Sequence, residues 1–580
     1  MKLVVFHYHL RPGGVTGVIT QACIAVGKHL PEVTEILLVA GSEDNAEDIL
    51  ARIRAAAPAS VVSFRVHPEL RYRSEQNGVA AEELERRIAT LLRREYLGDD
   101  VVWWVHNYHI GKNPPFTAAL LTVLTEEPDL PAVLQIHDFP ECARFENLRT
   151  LREHLSGRVY PSASNIAYAT INYRDRRLLL EAGIPESHVT ALPNPVAVVP
   201  GRPTARTSEK TGREAPGSAT GTAEVLTRLG QASGARFPGF HREGHLFVYP
   251  VRAIRRKNVF EAGFLARLLA LHAERPVNLV VTLPGTSPPE KPYSDMVDAA
   301  FAAGILPGMS GVGTRLEEAG VGFEEFMQAA EVILSTSVQE GFGYAFFEAP
   351  LWGAPLAARY LDILDGLDHL FEGYPHTFYR RLLVPFESPS IDSIRGILRV
   401  RYAEQLDRAG AMPEAARRHV EEEIEELLSG DTVDFSFLMP QMQYAYTKDL
   451  ADEGFANEVG SLNLELTASV LRLLDGTGAV DAPHAEAEPS GSRPMRNGTR
   501  KAVAGELGHE RYAARVSALL SQLERRVAQG TDRLEAPGDT AGRTSASGAG
   551  EAGDDPIQQQ LVAAFAHLDY FRLLYGRVGE

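Results

Sequence analysis

Cysteine is scarce in this chain of 580 residues: Cys23 and Cys142 are the whole supply. Nothing in their spacing suggests a metal site, and both are expected to be buried thiols of a protein kept in a reducing compartment. Long apolar runs are missing too, which excludes a membrane-spanning helix. The opening MKLVVFHYHLRPGG is broken by His7 and His9 too early for the apolar core of a secretory signal, so a cytoplasmic protein is expected. Basic charge is in deficit, with 58 Lys plus Arg against 76 Asp plus Glu and a net charge of -18. Such a surface repels polyanions, and nucleic acid is not an expected partner. The composition allows a homo-oligomer without arguing for one.

Two motifs are absent as well. The Gly-rich turn after the first strand lacks the three-glycine spacing of a dinucleotide fingerprint, because Pro12 stands where flexibility would be wanted. No Asp-x-Asp pair ends a strand where it could hold a metal with a diphosphate, and Asp99-Asp100 precedes a strand. A nicotinamide oxidoreductase is therefore disfavoured, and no metal site is expected.

What is present is apolar sequence enough for real cores, 44% of the chain, arranged in a repeating rhythm. LVVFHY, EILLVAG, VVSFRV, VVWWVHN, AVLQIHD and AYATINY read as buried strands, separated by amphipathic stretches such as residues 80–96. That alternation predicts a parallel sheet covered by helices on both faces. The rhythm restarts with HLFVYPV, a helical 259–271, VNLVVTL, EVILSTS and APLAAR. The fold class is α/β, with two Rossmann-like parallel-sheet domains, a helical C-terminal region and a low-complexity tail. The expected domains are 1–195 and 196–400, the second carrying a flexible insertion at 201–239. A helical region at 401–474, a mostly disordered tract at 475–556 and a terminal helix at 557–580 follow, with 511–526 helical inside the tract.

Three stretches carry candidate chemistry. Gly13 and Gly14, with Gly17, lie between a strand and a helix, where bare backbone amides and a helix N-terminus suit a phosphate; a tight connection alone would also use them. In VYPVRAIRRKN, Arg252 and Lys257 follow a strand's carboxyl end and could neutralise a departing diphosphate, with Arg255 and Arg256 as rivals. A solvated helix start would read the same way. In STSVQEGFGYAFFEAPLWG, Glu340 opens a Gly-Phe-Gly turn and Glu348 follows eight positions later. The amides of Gly341, Phe342, Gly343 and Tyr344 would point at a phosphate, and one carboxylate can accept from two ribose hydroxyls. An exposed acidic helix start is the bland alternative, but FFEAPLWG is too apolar for it. The polar loops WVHNYHIGKNPP and FPECARFENLR, with His106, Asn107, His109, Lys112, Asn113, Glu141, Arg144 and Glu146, could bind a hydroxylated or anionic acceptor or could simply be exposed.

These residues resemble the retaining GT-B glycosyltransferases of group 1, which include glycogen synthases, sucrose synthases and bacterial mannosyltransferases. The likeness rests on EGFGYAFFE, on Arg252 and Lys257 five apart with Asn258 next, on the early Gly13-Gly14 turn, on His137-Asp138 ending a first-domain strand, and on the hinge-like LPNPV. Pro195 and Pro250 depart from the family's usual glycines. The resemblance covers residues 1–400 less the insertion. It implies a cleft between two domains and transfer of a glucose- or mannose-type sugar, with retention, from a nucleotide diphosphate sugar to a small soluble acceptor. It further implies no metal, with Arg252, Lys257, Glu340 and His137 at the chemistry, and with Gly13, Gly14, Gly341 to Tyr344 and Glu348 on the donor. A GT-B phosphorylase, a trehalose-synthase-like enzyme, a nucleotide-sugar epimerase and a non-catalytic sugar-nucleotide sensor share the architecture and stay open at this point.

Overall fold

A computed structural model of the chain describes residues 1–76, 78–155, 157–197, 219–391, 393–409, 412–475, 494–530 and 555–572. It divides into two compact units. The first gathers Met1–Ala197, Arg408–His419 and Gly505–Tyr570. Its strands are β1 (Lys2–Phe6), β2 (Glu35–Ala40), β3 (Val61–Val66), β4 (Val101–His106), β5 (Ala132–Ile136), β6 (Ile166–Thr170) and β7 (Val189–Ala191). All pair in parallel, in the order β3-β2-β1-β4-β5-β6-β7.

The period-two alternation of strand side chains assigns each face its own core. Val4 and Phe6 of β1 join Trp103, Leu134 and Tyr168 on one face, whereas Leu3 and Val5 join Trp104, Val133 and Ala167 on the other. Each face also takes a helix from far along the chain. The helix His509–Gln529 buries Tyr512, Val516, Leu519 and Leu523 on the Leu3 face, spaced three or four apart as a helical stripe demands. The helix Pro556–Ala564 adds Ile557 and Leu561 to the Val4 face. Burying each such leucine contributes roughly 1.5–3 kcal/mol, which is why this region is structured.

The second unit, Val198–Asp407 with Val420–Ala504 and Phe571–Glu580, holds β8 (His245–Ala253), β9 (Val277–Pro284), β10 (Gly308–Met309), β11 (Val332–Ser335), β12 (Leu356–Arg359) and β13 (His376–Tyr379). They form a parallel sheet in the order β10-β9-β8-β11-β12-β13. A short antiparallel pair, β14 (Leu383–Pro385) with β15 (Thr432–Asp434), lies beside the helical segment.

Three expectations need correction. The insertion placed at 201–239 contains a regular helix, Ala219–Ser233, whose Val225, Leu226 and Leu229 are buried; residues 201–218 lie outside the described residues. The tract placed at 475–556 carries two helices, Pro494–Leu507 and His509–Gln529, while 476–493 and 531–554 lie outside the described residues. The second of these contains the 511–526 helix that the sequence showed, whereas Pro494–Leu507 was not expected. The terminal helix, expected over 557–580, runs Pro556–Ala564 and gives way to turns before Arg572, while 573–580 lie outside the described residues. LPNPV is irregular chain past β7, with Asn194 buried. Cys23 and Cys142 are buried thiols, as expected. Among the described residues no helix is long and apolar enough to cross a membrane.

Candidate active site

In open parallel sheets ligands bind beyond the carboxyl ends of strands where the strand order reverses. The second sheet reverses between β8 and β11. Arg252 and Lys257 follow β8 and Glu340 follows β11, so topology brings together two motifs separated by more than eighty residues of sequence.

Pro250 offers β8 no N–H, and the pairing with β9 slips between Tyr249 and Arg252, leaving one extra residue on β8. That bulge sets the course of the strand end bearing Arg252, whose guanidinium lies 3.3 Å from Glu290. Residues Arg255–Lys257 then make a 3-10 turn, and Asn258 at φ 51° starts the helix Val259–Ala270. Asn258 is wholly buried, donating to Glu261 at 2.6 Å and accepting from Gln443 at 2.9 Å. The carbonyl of Lys257 accepts from Tyr249 at 2.8 Å and from Thr336 at 3.2 Å. The cation turn is thereby clamped against the end of β11.

The Lys257 ammonium and the Arg256 guanidinium both grip Glu340, the latter at 2.9 Å. Burial alone would raise the Glu340 carboxyl, but the charges of Lys257 and Arg256 outweigh it and hold the group at about 2. Burial lowers Lys257 to about 8 against the opposing pull of Glu340. Arg255, one of the sequence rivals, points elsewhere: it is buried and spends its donors on Asn258 and the Leu438 carbonyl.

Beyond Glu340 the Gly-Phe-Gly turn enters the helix Tyr344–Trp352. Gly343 lies at φ 78°, and a Cβ there would come within 2.7 Å of the Phe346 ring and 2.9 Å of Ile363, so glycine is required. No side chain caps this helix start. Phe342 is buried on Phe347, which anchors the turn from below. Glu348, in the second turn of the helix, is partly buried and has no hydrogen-bond or ion-pair partner among the described residues; burial pushes its carboxyl up to about 7. Two glutamates of one motif thus meet opposite fates, one paired and ionised, the other unpaired and near its titration point.

In the first unit the sheet reverses between β1 and β4. Gly13 is extended at φ 177°, a Cβ on Gly14 would meet nothing within 4 Å, and no side chain caps the helix Gly14–His29. Neither glycine is demanded by the surrounding protein, which leaves open space over a bare helix start. The ends of β1, β4 and β5 carry histidines instead of charges. His106 Nδ1 lies 2.9 Å from His137 Nε2, and His7 Nδ1 lies 3.3 Å from the His106 carbonyl. Asn107, left-handed at φ 55°, accepts from the His137 N–H at 2.8 Å and fixes that turn. Burial, chiefly, lowers His7 to about 3 and His137 to about 4, so these rings are neutral near pH 7. His137 can therefore offer a sugar a neutral ring or a carbonyl, but not a cation.

The polar loops divide. Asn113 caps the helix Pro114–Glu126 and ties down the carbonyls of Glu69 and Arg71, and His109 is wholly buried among Tyr108, Phe139 and Tyr160; both are structural. Glu141 is buried on the Tyr160 hydroxyl at 3.0 Å and raised by burial to about 7. Sequence reading did not single out His7 or Tyr72 as site residues, although LVVFHYHL puts His7 just past a strand end. Tyr72 stands in no motif.

No protein-family model matches the chain. A curated protein, mannosylglucosyl-3-phosphoglycerate synthase of Petrotoga mobilis, is 27% identical over 577 residues, spanning 99% of both chains. Among solved structures, the catalytic domain of starch synthase IV from Arabidopsis thaliana bound to ADP and acarbose is 10% identical with a TM-score of 0.41, covering 82% of this chain and 99% of that one. Sucrose-phosphate synthase from Thermosynechococcus elongatus is 11% identical with a TM-score of 0.38, covering 80% and 99%. The chain is thus similar end to end to a curated sugar-phosphoglycerate synthase, and it carries the two parallel sheets that its motifs implied.

Proposed function

We propose that the chain moves a hexosyl group, with retention of configuration and without a metal, from a nucleotide diphosphate sugar to a small soluble hydroxyl acceptor. The observation that carries this is the convergence of Lys257 and Arg256 on Glu340 at the sheet's reversal point, one helix turn or two from an unpartnered Glu348. In the reaction the bond between the anomeric carbon and the diphosphate oxygen breaks, and the acceptor oxygen bonds to that carbon. The acceptor's proton passes to the departing phosphate oxygen. Lys257 and Arg252 stabilise the charge growing there, as placed donors do for developing anions in other enzymes at about 3 kcal/mol each. Glu348 receives the ribose hydroxyls, the Gly341 to Tyr344 amides face the phosphate, and Glu340 holds the sugar. The bare turn at Gly13 and Gly14 leaves room for donor phosphate or sugar.

The name of the Petrotoga relative favours mannose as the sugar and a glucosylated 3-phosphoglycerate as the acceptor. The test is product analysis with nucleoside diphosphate mannoses and glucoses of several bases, offered with glucosyl-3-phosphoglycerate and with neutral sugars. An α-linked product from an α-linked donor is expected. An inverted product, isomerised donor without acceptor, or a reaction driven by inorganic phosphate would each replace this reading.

A further inference from the structure

Charges taken out of water are ordinarily paired, because an unpaired one costs several kcal/mol. Around the loops beyond β1 and β4 even the more exposed cations of the first unit are paired. Arg11 is forked by Glu75 at 2.6 and 3.0 Å and also reaches Asp44 at 3.0 Å. Arg144 donates to Asp138 at 2.8 Å. Lys112 differs from them. Its side chain is partly buried and makes no hydrogen bond or ion pair among the described residues, and its ammonium faces the ring of Tyr72, 5.6 Å from the centroid. Burial and then the nearby positive charge of Arg144 hold its pKa below the ordinary lysine value.

A second unsatisfied group stands on the same ring. The Tyr72 hydroxyl lies 3.0 Å from His9 Nε2, while His9 Nδ1 is buried with no partner. The surroundings are thus a surplus cation, an aromatic wall and an idle ring nitrogen. Arg11 cannot serve as an anion receptor in the same way, since two carboxylates already saturate it. A compact ammonium with three rotatable donors suits an oxyanion as a point charge.

We propose that Lys112, with Arg144 beside it and Tyr72 and His9 as its wall, seats the oxyanion of the acceptor, a phosphate monoester or a carboxylate. The assignment rests on the transferase reading and deepens it, by naming the charge class of the acceptor and the residue that selects it. A neutral sugar would leave Lys112 uncompensated, whereas a dianion would relieve its repulsion with Arg144.

The test uses the full chain with inorganic phosphate and glycerate as probes, titrated calorimetrically and by melting temperature, in wild type, Lys112→Met and Lys112→Arg. Methionine keeps an apolar stem on the Tyr72 ring without the charge. Wild type should bind phosphate and melt higher with it. Lys112→Met should lose at least tenfold in phosphate affinity and should melt no lower than wild type without ligand, because it removes an unpaired charge. Lys112→Arg should keep affinity within a few-fold. Glycerate tells the sources apart: silence with glycerate assigns a phosphoester, binding assigns a seat that takes a carboxylate. With nucleotide sugar present, Lys112→Met should raise the KM for a phosphorylated acceptor at least tenfold and keep the donor KM. Phosphate binding unchanged in Lys112→Met, or a lower melting temperature of that variant without ligand, would overturn the seat. Absence of any sugar transfer by wild type would instead sink the transferase reading, with the phosphate titration still deciding Lys112.

Discussion

The two sheets share a plan, but their carboxyl edges are made of different chemistry. The second unit's edge is ionic, with Arg252, Arg256 and Lys257 set against Glu290 and Glu340. The first unit's edge is neutral at its centre, with His7, His106 and His137 linked by short contacts and stripped of charge by burial. The difference matches the demands of a transfer reaction. A leaving diphosphate gathers negative charge and needs cations that are already in place. A sugar carries no charge and needs hydrogen-bond partners that do not change with pH. Beyond the histidines, Lys112 adds a cation with no hydrogen bond or ion pair among the described residues, facing the Tyr72 ring.

Removing the cation that the second edge is built around should give the largest effect. Lys257→Ala is expected to lower kcat by about 10²–10³-fold, the usual cost of one transition-state donor, with a smaller change in donor affinity. Wild-type turnover in that variant would erase the distinction between the edges. Next comes Glu348. Its carboxyl is raised to about 7, so the carboxylate proposed to accept ribose hydroxyls is in place above that pH and is lost as pH falls through it. Donor affinity should therefore weaken by roughly tenfold per unit below about pH 7, the slope of one proton taken up. Glu348→Gln should bind donor on the order of tenfold more weakly at pH 8 and show a flat profile. The same raised value means that the folded protein holds this proton more tightly than the unfolded chain does. Its contribution to stability is full below about 4.3, the unperturbed value, and is lost as pH rises through about 7, so Glu348→Gln should melt higher at pH 8.

Glu340 carries the opposite sign. Held at about 2, its pairing stabilises the fold above the ordinary carboxylate range and is lost as pH drops toward that value. A smaller effect is expected at the neutral edge. The ring C–H resonances of His7, His106 and His137 should not titrate between pH 5.5 and 8, and movement of any of them in that window would make the first edge a charged one. The smallest effect is none: a chelator should leave turnover unchanged, and activity lost to it and restored by magnesium or manganese would put a metal where Lys257 and Arg252 are assigned.

Much of this was legible before any coordinates. Strands such as LVVFHY and HLFVYPV declared themselves because buried parallel strands are nearly continuous apolar runs. EGFGYAFFE declared itself because a left-handed Gly343 and an apolar helix leave little freedom of sequence. Short elements escaped, among them β7, β10 and β13, since two to four residues carry no periodicity. The helices Ala219–Ser233 and Pro494–Leu507 escaped because small residues dilute their apolar stripes. The site's electrostatics were hidden more deeply. Arg255, Arg256 and Lys257 look interchangeable in sequence, and their separate partners, Leu438, Glu340 and again Glu340, come from distant segments. That Lys112 lacks a counterion is equally unreadable, because it is a property of everything around it.

The central claim is that the ionic edge of the second unit is the donor site. A structure of the chain with a nucleoside diphosphate bound tests it most directly. The account predicts phosphate oxygens within hydrogen-bonding distance of Lys257 and Arg252, and both ribose hydroxyls on Glu348. A diphosphate held elsewhere, with Glu348 still unpartnered, would contradict it.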